Sequence, residues 1–175
     1  MDEKETAKLI EEAMLKALEY EARVREVYEK AVGDASAPVR KHVFEVLAEE
    51  EQGHIDYLEH KLKELRETGT ATPGEITTAL PTRAAIEAGV KTLEGHLEGD
   101  GATEEALLRK ALVVEEETSA FYKKMVDELP KPGRDFFFPF MTIEEGHVAI
   151  VQAELDSVTN MGFWFDYREF DLESG

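Results

Sequence analysis

Glu51-Gln-Gly-His54 and Glu144-Glu-Gly-His147 each set a carboxylate three residues ahead of an imidazole, inside a stretch patterned as helix. At 3.6 residues per turn, positions i and i+3 share a face, so each pair aims two metal-ligand types in one direction. Each pair also carries a glycine just before its histidine. Glycine in a helix interior costs about 1 kcal/mol relative to alanine. Close approach of a neighbouring helix or a ligand is the expected reason for having it twice. One Glu-x-x-His would be weak. The duplication gives it weight.

The elements that must carry these pairs follow from periodicity. Ile10, Met14, Ala17, Val24, Tyr28 and Ala31 keep a helical spacing and predict a first helix over 3–33. Gly33-Asp34-Ala35-Ser36 ends it, and Ser36 as cap with Pro38 in the first turn starts a second helix over 38–66. The inward face of that helix reads Val43, Phe44, Leu47, Glu51, His54, Leu58 and Leu62. So short a connection predicts an antiparallel pair.

Turn and loop residues follow from Thr68 to Gly74, and Thr82 is the expected cap of a shorter helix over 83–97. The stretch 68–103 is long enough to cross from one end of a bundle to the other. A third long helix is expected over 103–129, with Leu108, Leu112, Glu115, Tyr122 and Val126 on one face. A fourth is expected over 134–159, with Phe137, Phe140, Glu144, His147, Val151 and Leu155 inward. Pro139 marks either its true start or a kink. Residues 1–160 then make one bundle domain, and 161–175 an acidic, aromatic tail that packs back on the bundle or docks a second subunit.

The second half repeats the first. Ala17-Leu18-x-x-Glu21 followed by Tyr28 corresponds to Ala111-Leu112-x-x-Glu115 followed by Tyr122, 94 residues on. Glu51 and His54 correspond to Glu144 and His147, 93 residues on. Glu21 and Glu115 sit on apolar stripes, where a carboxylate is costly unless it is paired or holds a cation. Four converging carboxylates and two imidazoles balance two divalent ions. Oxygen and imidazole donors without sulfur favour iron or manganese over structural zinc. This is the ligand set of di-iron and di-manganese carboxylate bundles.

Composition narrows the field further. The net charge of −19 disfavours nucleic acid and anionic membranes and concentrates cations. The chain has no cysteine, which excludes disulfides, zinc–thiolate sites and iron–sulfur clusters within it. No export signal and no long apolar run is visible, so a cytoplasmic protein is the expectation.

On Glu21, Glu51-x-x-His54, Glu115, Glu144-x-x-His147, Tyr28 and Tyr122 the chain resembles the rubrerythrin branch of the ferritin-like family. Its tail, Trp164-Phe-Asp-Tyr-Arg-Glu-Phe170, is similar to that of members lacking an electron-transfer domain. The resemblance implies an all-α, ferritin-like four-helix bundle, with a long crossover between its second and third helices. It implies two iron ions (manganese or a mixed pair being the alternatives), with Glu51 and Glu144 bridging, Glu21 and Glu115 terminal, and His54 and His147 one per ion. The implied activity is reduction of hydrogen peroxide or dioxygen by a homodimer that is re-reduced by a separate electron-donor protein.

The sequence departs from that family at one position. Rubrerythrins carry a further Glu one turn after the third-helix ligand, where this chain has Thr118, and Glu117 next door competes with Glu115 as the ligand. Tyr28 and Tyr122 are either plain core aromatics or hydrogen-bond partners and electron donors to a ligating Glu. Two other functions fit the same residues. One is a ferroxidase or sequestration protein with ferrous iron as substrate; the other is a non-catalytic metal-binding bundle.

Overall fold

Asp2 opens the first helix with a reciprocal cap: its side chain accepts from the Glu5 N–H at 2.7 Å, and the Glu5 carboxylate accepts from the Asp2 N–H at 3.2 Å. In this computed structural model, which describes residues 2–78, 80 and 101–159, four helices follow one another. They are α1 (Glu3–Asp34), α2 (Pro38–Thr68), α3 (Gly101–Glu128) and α4 (Lys131–Val158). Together they form an all-α four-helix bundle. The expected short helix over 83–97 with its Thr82 cap and the tail over 161–175 lie outside the described residues. Among the described residues no helix is long and apolar enough to cross a membrane.

Helix ends follow local chemistry, with one correction. Ser36 is not the cap of α2; Ala37 takes that position, with Pro38 first in the helix. The capping acceptor comes from α3 instead. Buried Glu104 accepts from Ser36 N–H at 2.8 Å, Ser36 Oγ at 3.0 Å and Ala37 N–H at 3.0 Å. A carboxylate suits the positive end of the α2 dipole, and three donors offset its burial. At the other end of α2, Gly69 adopts φ 77° and donates its N–H to Leu65 O at 2.8 Å, a left-handed turn that a side chain would oppose. Pro139 lies inside α4, whose first residue is Lys131, so it does not mark the helix start.

These caps also fix the topology. Glu104, near the start of α3, meets the start of α2, so these two helices begin at the same end of the bundle. A Cβ placed on Gly133, at the start of α4, would meet Leu129 and Ile10 side chains at 3.0 to 3.1 Å. The end of α3 therefore lies beside the start of α1. The chain between Thr68 and Gly101 accordingly joins opposite ends of the bundle, as its length predicts. Two tight hairpins, α1 with α2 and α3 with α4, join along α1 and α3, and the α2–α4 pairing is looser.

The core is split in two. One apolar cluster gathers Val24, Tyr28, Phe44, Leu47, Leu108 and Val151; the other gathers Met14, Leu58, Tyr122, Phe136, Phe137 and Phe140. Each fully buried large side chain contributes about 1.5–3 kcal/mol. Between the two clusters the four helices bury Glu21, Glu51 with His54, Glu115 with Thr118, and Glu144 with His147. Apolar burial above and below stabilises a polar layer that would be unfavourable alone.

Candidate metal centre

That polar layer is dry. Glu21, Glu51, Glu115, Glu144 and His147 are 0% exposed and His54 is 1% exposed. Each helix supplies its share because the stripe that buries neighbours such as Ala17 and Val24, or Leu47 and Leu58, also passes through the ligand-type positions. His54 Nδ1 lies 3.1 Å from Glu21 Oε2 and 3.4 Å from both Glu51 Oε2 and Glu144 Oε1. His147 Nδ1 lies 2.9 Å from Glu51 Oε1, 3.7 Å from Glu115 Oε1 and 3.8 Å from Glu144 Oε1. The two imidazoles stack, with centroids 5.5 Å apart and planes 10° from parallel.

Two overlapping groups result. Glu21, Glu51, His54 and Glu144 each offer an atom, all within 4.8 Å of one another, and so do Glu51, Glu115, Glu144 and His147. Glu51 and Glu144 belong to both groups. The sequence repeat thus becomes a pair of half-sites sharing two carboxylates. The tyrosines cross between the halves: Tyr28 of α1 donates to Glu115 Oε1 of α3, and Tyr122 of α3 donates to Glu21 Oε1 of α1. Tyr122 also stacks on Phe140 at 4.9 Å, and Phe140 meets the His54 ring edge-on at 5.5 Å, which closes one side of the layer to water.

Protons reveal how crowded the layer is. Burial raises the Glu51 and Glu144 carboxyls well above the ordinary range, and the charge on Glu21 raises both further. Burial raises Glu115 as well. Burial also opposes the charged form of Glu21, but His54 facing it, with hydrogen bonds from His54 and Tyr122, overturns that and holds the carboxyl at about 2. His54 is itself opposed by burial and then raised well above the usual imidazole value, chiefly by Glu21. Burial lowers His147.

The donor set fits metal ions on an independent ground. Both oxygens of Glu51, both of Glu144, Glu115 Oε2 and Nε2 of both histidines have no hydrogen-bond partner. Buried polar atoms are rarely left so, because each costs about 1–3 kcal/mol. Oxygen and imidazole donors that converge without partners are what divalent cations bind.

The expected site residues separate as follows. Glu21, Glu51, His54, Glu115, Glu144 and His147 come together. Glu117 does not: it is half-exposed and pairs with Arg23 on the surface of α1. Thr118 is buried and donates to Val114 O at 2.8 Å. His42 and His60 are exposed and lie apart from this site. Phe136 and Phe137 are core, whereas Phe138 is 54% exposed.

Close approach of a neighbouring helix does not explain Gly53, because a Cβ there would meet no protein atom within 4 Å. Glu50, which in the sequence is one acidic neighbour among several, forms a third group within 4.8 Å with His54 and His147. Its only signal is the i, i+4 spacing from His54, on the same helix face. No protein-family model, curated protein or solved structure matches the chain. The site itself must therefore carry the functional argument.

Proposed function

We propose that the layer holds two divalent metal ions, iron by preference, and that the protein is a di-iron oxidoreductase acting on peroxide or dioxygen. Glu21 and His54 would hold one ion, Glu115 and His147 the other, with Glu51 and Glu144 shared. The sharing of those two carboxylates between both groups carries the reading. When bound, two ferrous ions would together supply the two electrons that reduce a peroxide O–O bond to water.

The chain's own part is to orient, exclude water and hold protons. Tyr28 and Tyr122 fix one oxygen each of Glu115 and Glu21; the other oxygen of Glu115 has no partner, and that of Glu21 faces His54 Nδ1 at 3.1 Å, a contact that a bound metal would replace. Their phenols are held protonated, burial first and the facing carboxylate charges second pushing them well above the ordinary tyrosine value. Each can therefore keep a hydrogen bond on its Glu while the metal charge changes. With no cysteine for an electron-transfer site of its own, the chain would be re-reduced by a separate donor protein, and we propose a homodimer as its assembly.

The test begins with metal content by mass spectrometry on anaerobically prepared protein, where two ions per chain are expected. Mixing the ferrous protein with peroxide should then oxidise it faster than free ferrous ion. Fewer than two ions per chain would remove the site. Two ions without accelerated oxidation would leave a structural metal bundle. The −19 charge favours one other reading, iron capture by a ferroxidase. Light scattering tests it, since storage requires a closed shell and a dimer would exclude one.

A further inference from the structure

A hydrated cation must shed its water to enter a layer with no exposure, and the structure offers a place to begin. Glu50, His54 and His147 each present an atom within 4.8 Å of the others, Glu50 half-buried and the two histidines buried. Nε2 of both imidazoles lacks a hydrogen-bond partner. These three residues come from α2 and α4, whose pairing is the loose one in the bundle. Gly53, between Glu50 and His54, is exposed and has open space where a side chain would stand.

We infer that Glu50, with His54 and His147, forms an outer staging position where a divalent cation exchanges part of its water shell before passing to the inner pair. The inference rests on the two-metal reading above. The outer position offers a cation one carboxylate with two imidazoles, whereas each inner group offers three carboxylates that give up their protons as the ion binds. Transfer inward therefore runs down the electrostatic gradient, and the outer position does not trap the ion.

The probe is Co²⁺ added to full-length apoprotein, with loading followed by visible absorbance in stopped flow and final stoichiometry by equilibrium titration. Glu50→Gln should load at least tenfold more slowly than the parent, yet still reach two Co²⁺ per chain. Glu49→Gln, an exposed neighbour with the same charge change, should load within twofold of the parent. Far-UV circular dichroism checks that both variants keep the helical fold.

Three results would overturn the staging position while leaving the inner pair intact. Glu50→Gln could load as fast as the parent, or both variants could slow equally, which would indicate general electrostatics. Glu50→Gln could also lose stoichiometry, making Glu50 a permanent ligand. A parent that takes fewer than two Co²⁺ would instead remove the two-metal reading itself, and the two failures are thereby told apart.

Discussion

Carboxylates cut off from water compete for protons unless something else neutralises them, and this competition decides what each acid in the protein does. Three consecutive glutamates, Glu115, Glu116 and Glu117, differ only in helical phase. Glu115 falls on the stripe and is buried beside His147, whereas Glu116 and Glu117 face solvent. Glu115→Gln is expected to weaken binding of one of two Zn²⁺ ions at least about tenfold in calorimetric titration. Glu117→Gln should leave both ions in place and shift stability by less than about 0.5 kcal/mol, since it removes only an exposed pair with Arg23. In the sequence Glu115 and Glu117 compete for the ligand position. Three dimensions remove the freedom, because a 200° change of phase carries a side chain from the layer to the surface.

Helices, too, obey rules that the sequence only partly exposes. Gly53 and Gly146 repeat with their histidines, and packing looked like the natural reason. For Gly53 it is not, since open space surrounds its Cβ position. Gly53→Ala should therefore raise the stability of the apoprotein by about 0.5–1 kcal/mol in urea unfolding, through the lower chain entropy of the unfolded state. A loss of stability would mean that something packs there after all.

The start of α2 shows the opposite case. Ser36-x-Pro38 carries a good local signature for a cap. A buried carboxylate from another helix takes the role instead and satisfies three donors at once. Glu104→Ala should cost about 1–3 kcal/mol, read as a lower urea midpoint with an unchanged slope.

At the scale of the whole molecule, the layer makes stability depend on pH and on metal. Glu51, Glu115 and Glu144 have folded values raised above the ordinary 4.5. Their contribution is complete below that value and is lost as pH rises through the folded values. His54, raised above 6.5, acts in the same sense at higher pH. Glu21, held at about 2, opposes: its contribution is present above 4.5 and lost as pH falls toward 2. His147, lowered below 6.5, also opposes, contributing above that value and losing it as pH falls.

Above about pH 5 Glu21 is ionised folded and unfolded alike, so the three raised carboxyls and His54 are opposed only by His147 and outweigh it. Metal-free protein should therefore lose stability between about pH 5 and pH 8, measured by urea midpoints in that interval. Saturating metal should abolish or reverse the trend, and loading should release protons into a weakly buffered indicator solution. Flat apoprotein stability across that interval would contradict the proton distribution described above.

The chain's order alone determined four long helices, which faces they bury, and the pairing of each Glu-x-x-His with a Glu and a Tyr one helix earlier. Periodicity at 3.6 residues and a repeat offset are local, one-dimensional quantities, and they survive folding unchanged. Only the tertiary structure decided that the two half-sites share Glu51 and Glu144, that each Tyr serves the opposite half, that Glu50 borders both histidines, and that Glu104 caps a helix other than its own. Those are relations between helices. They depend on how two hairpins meet along α1 and α3, and no spacing within a single helix encodes that approach.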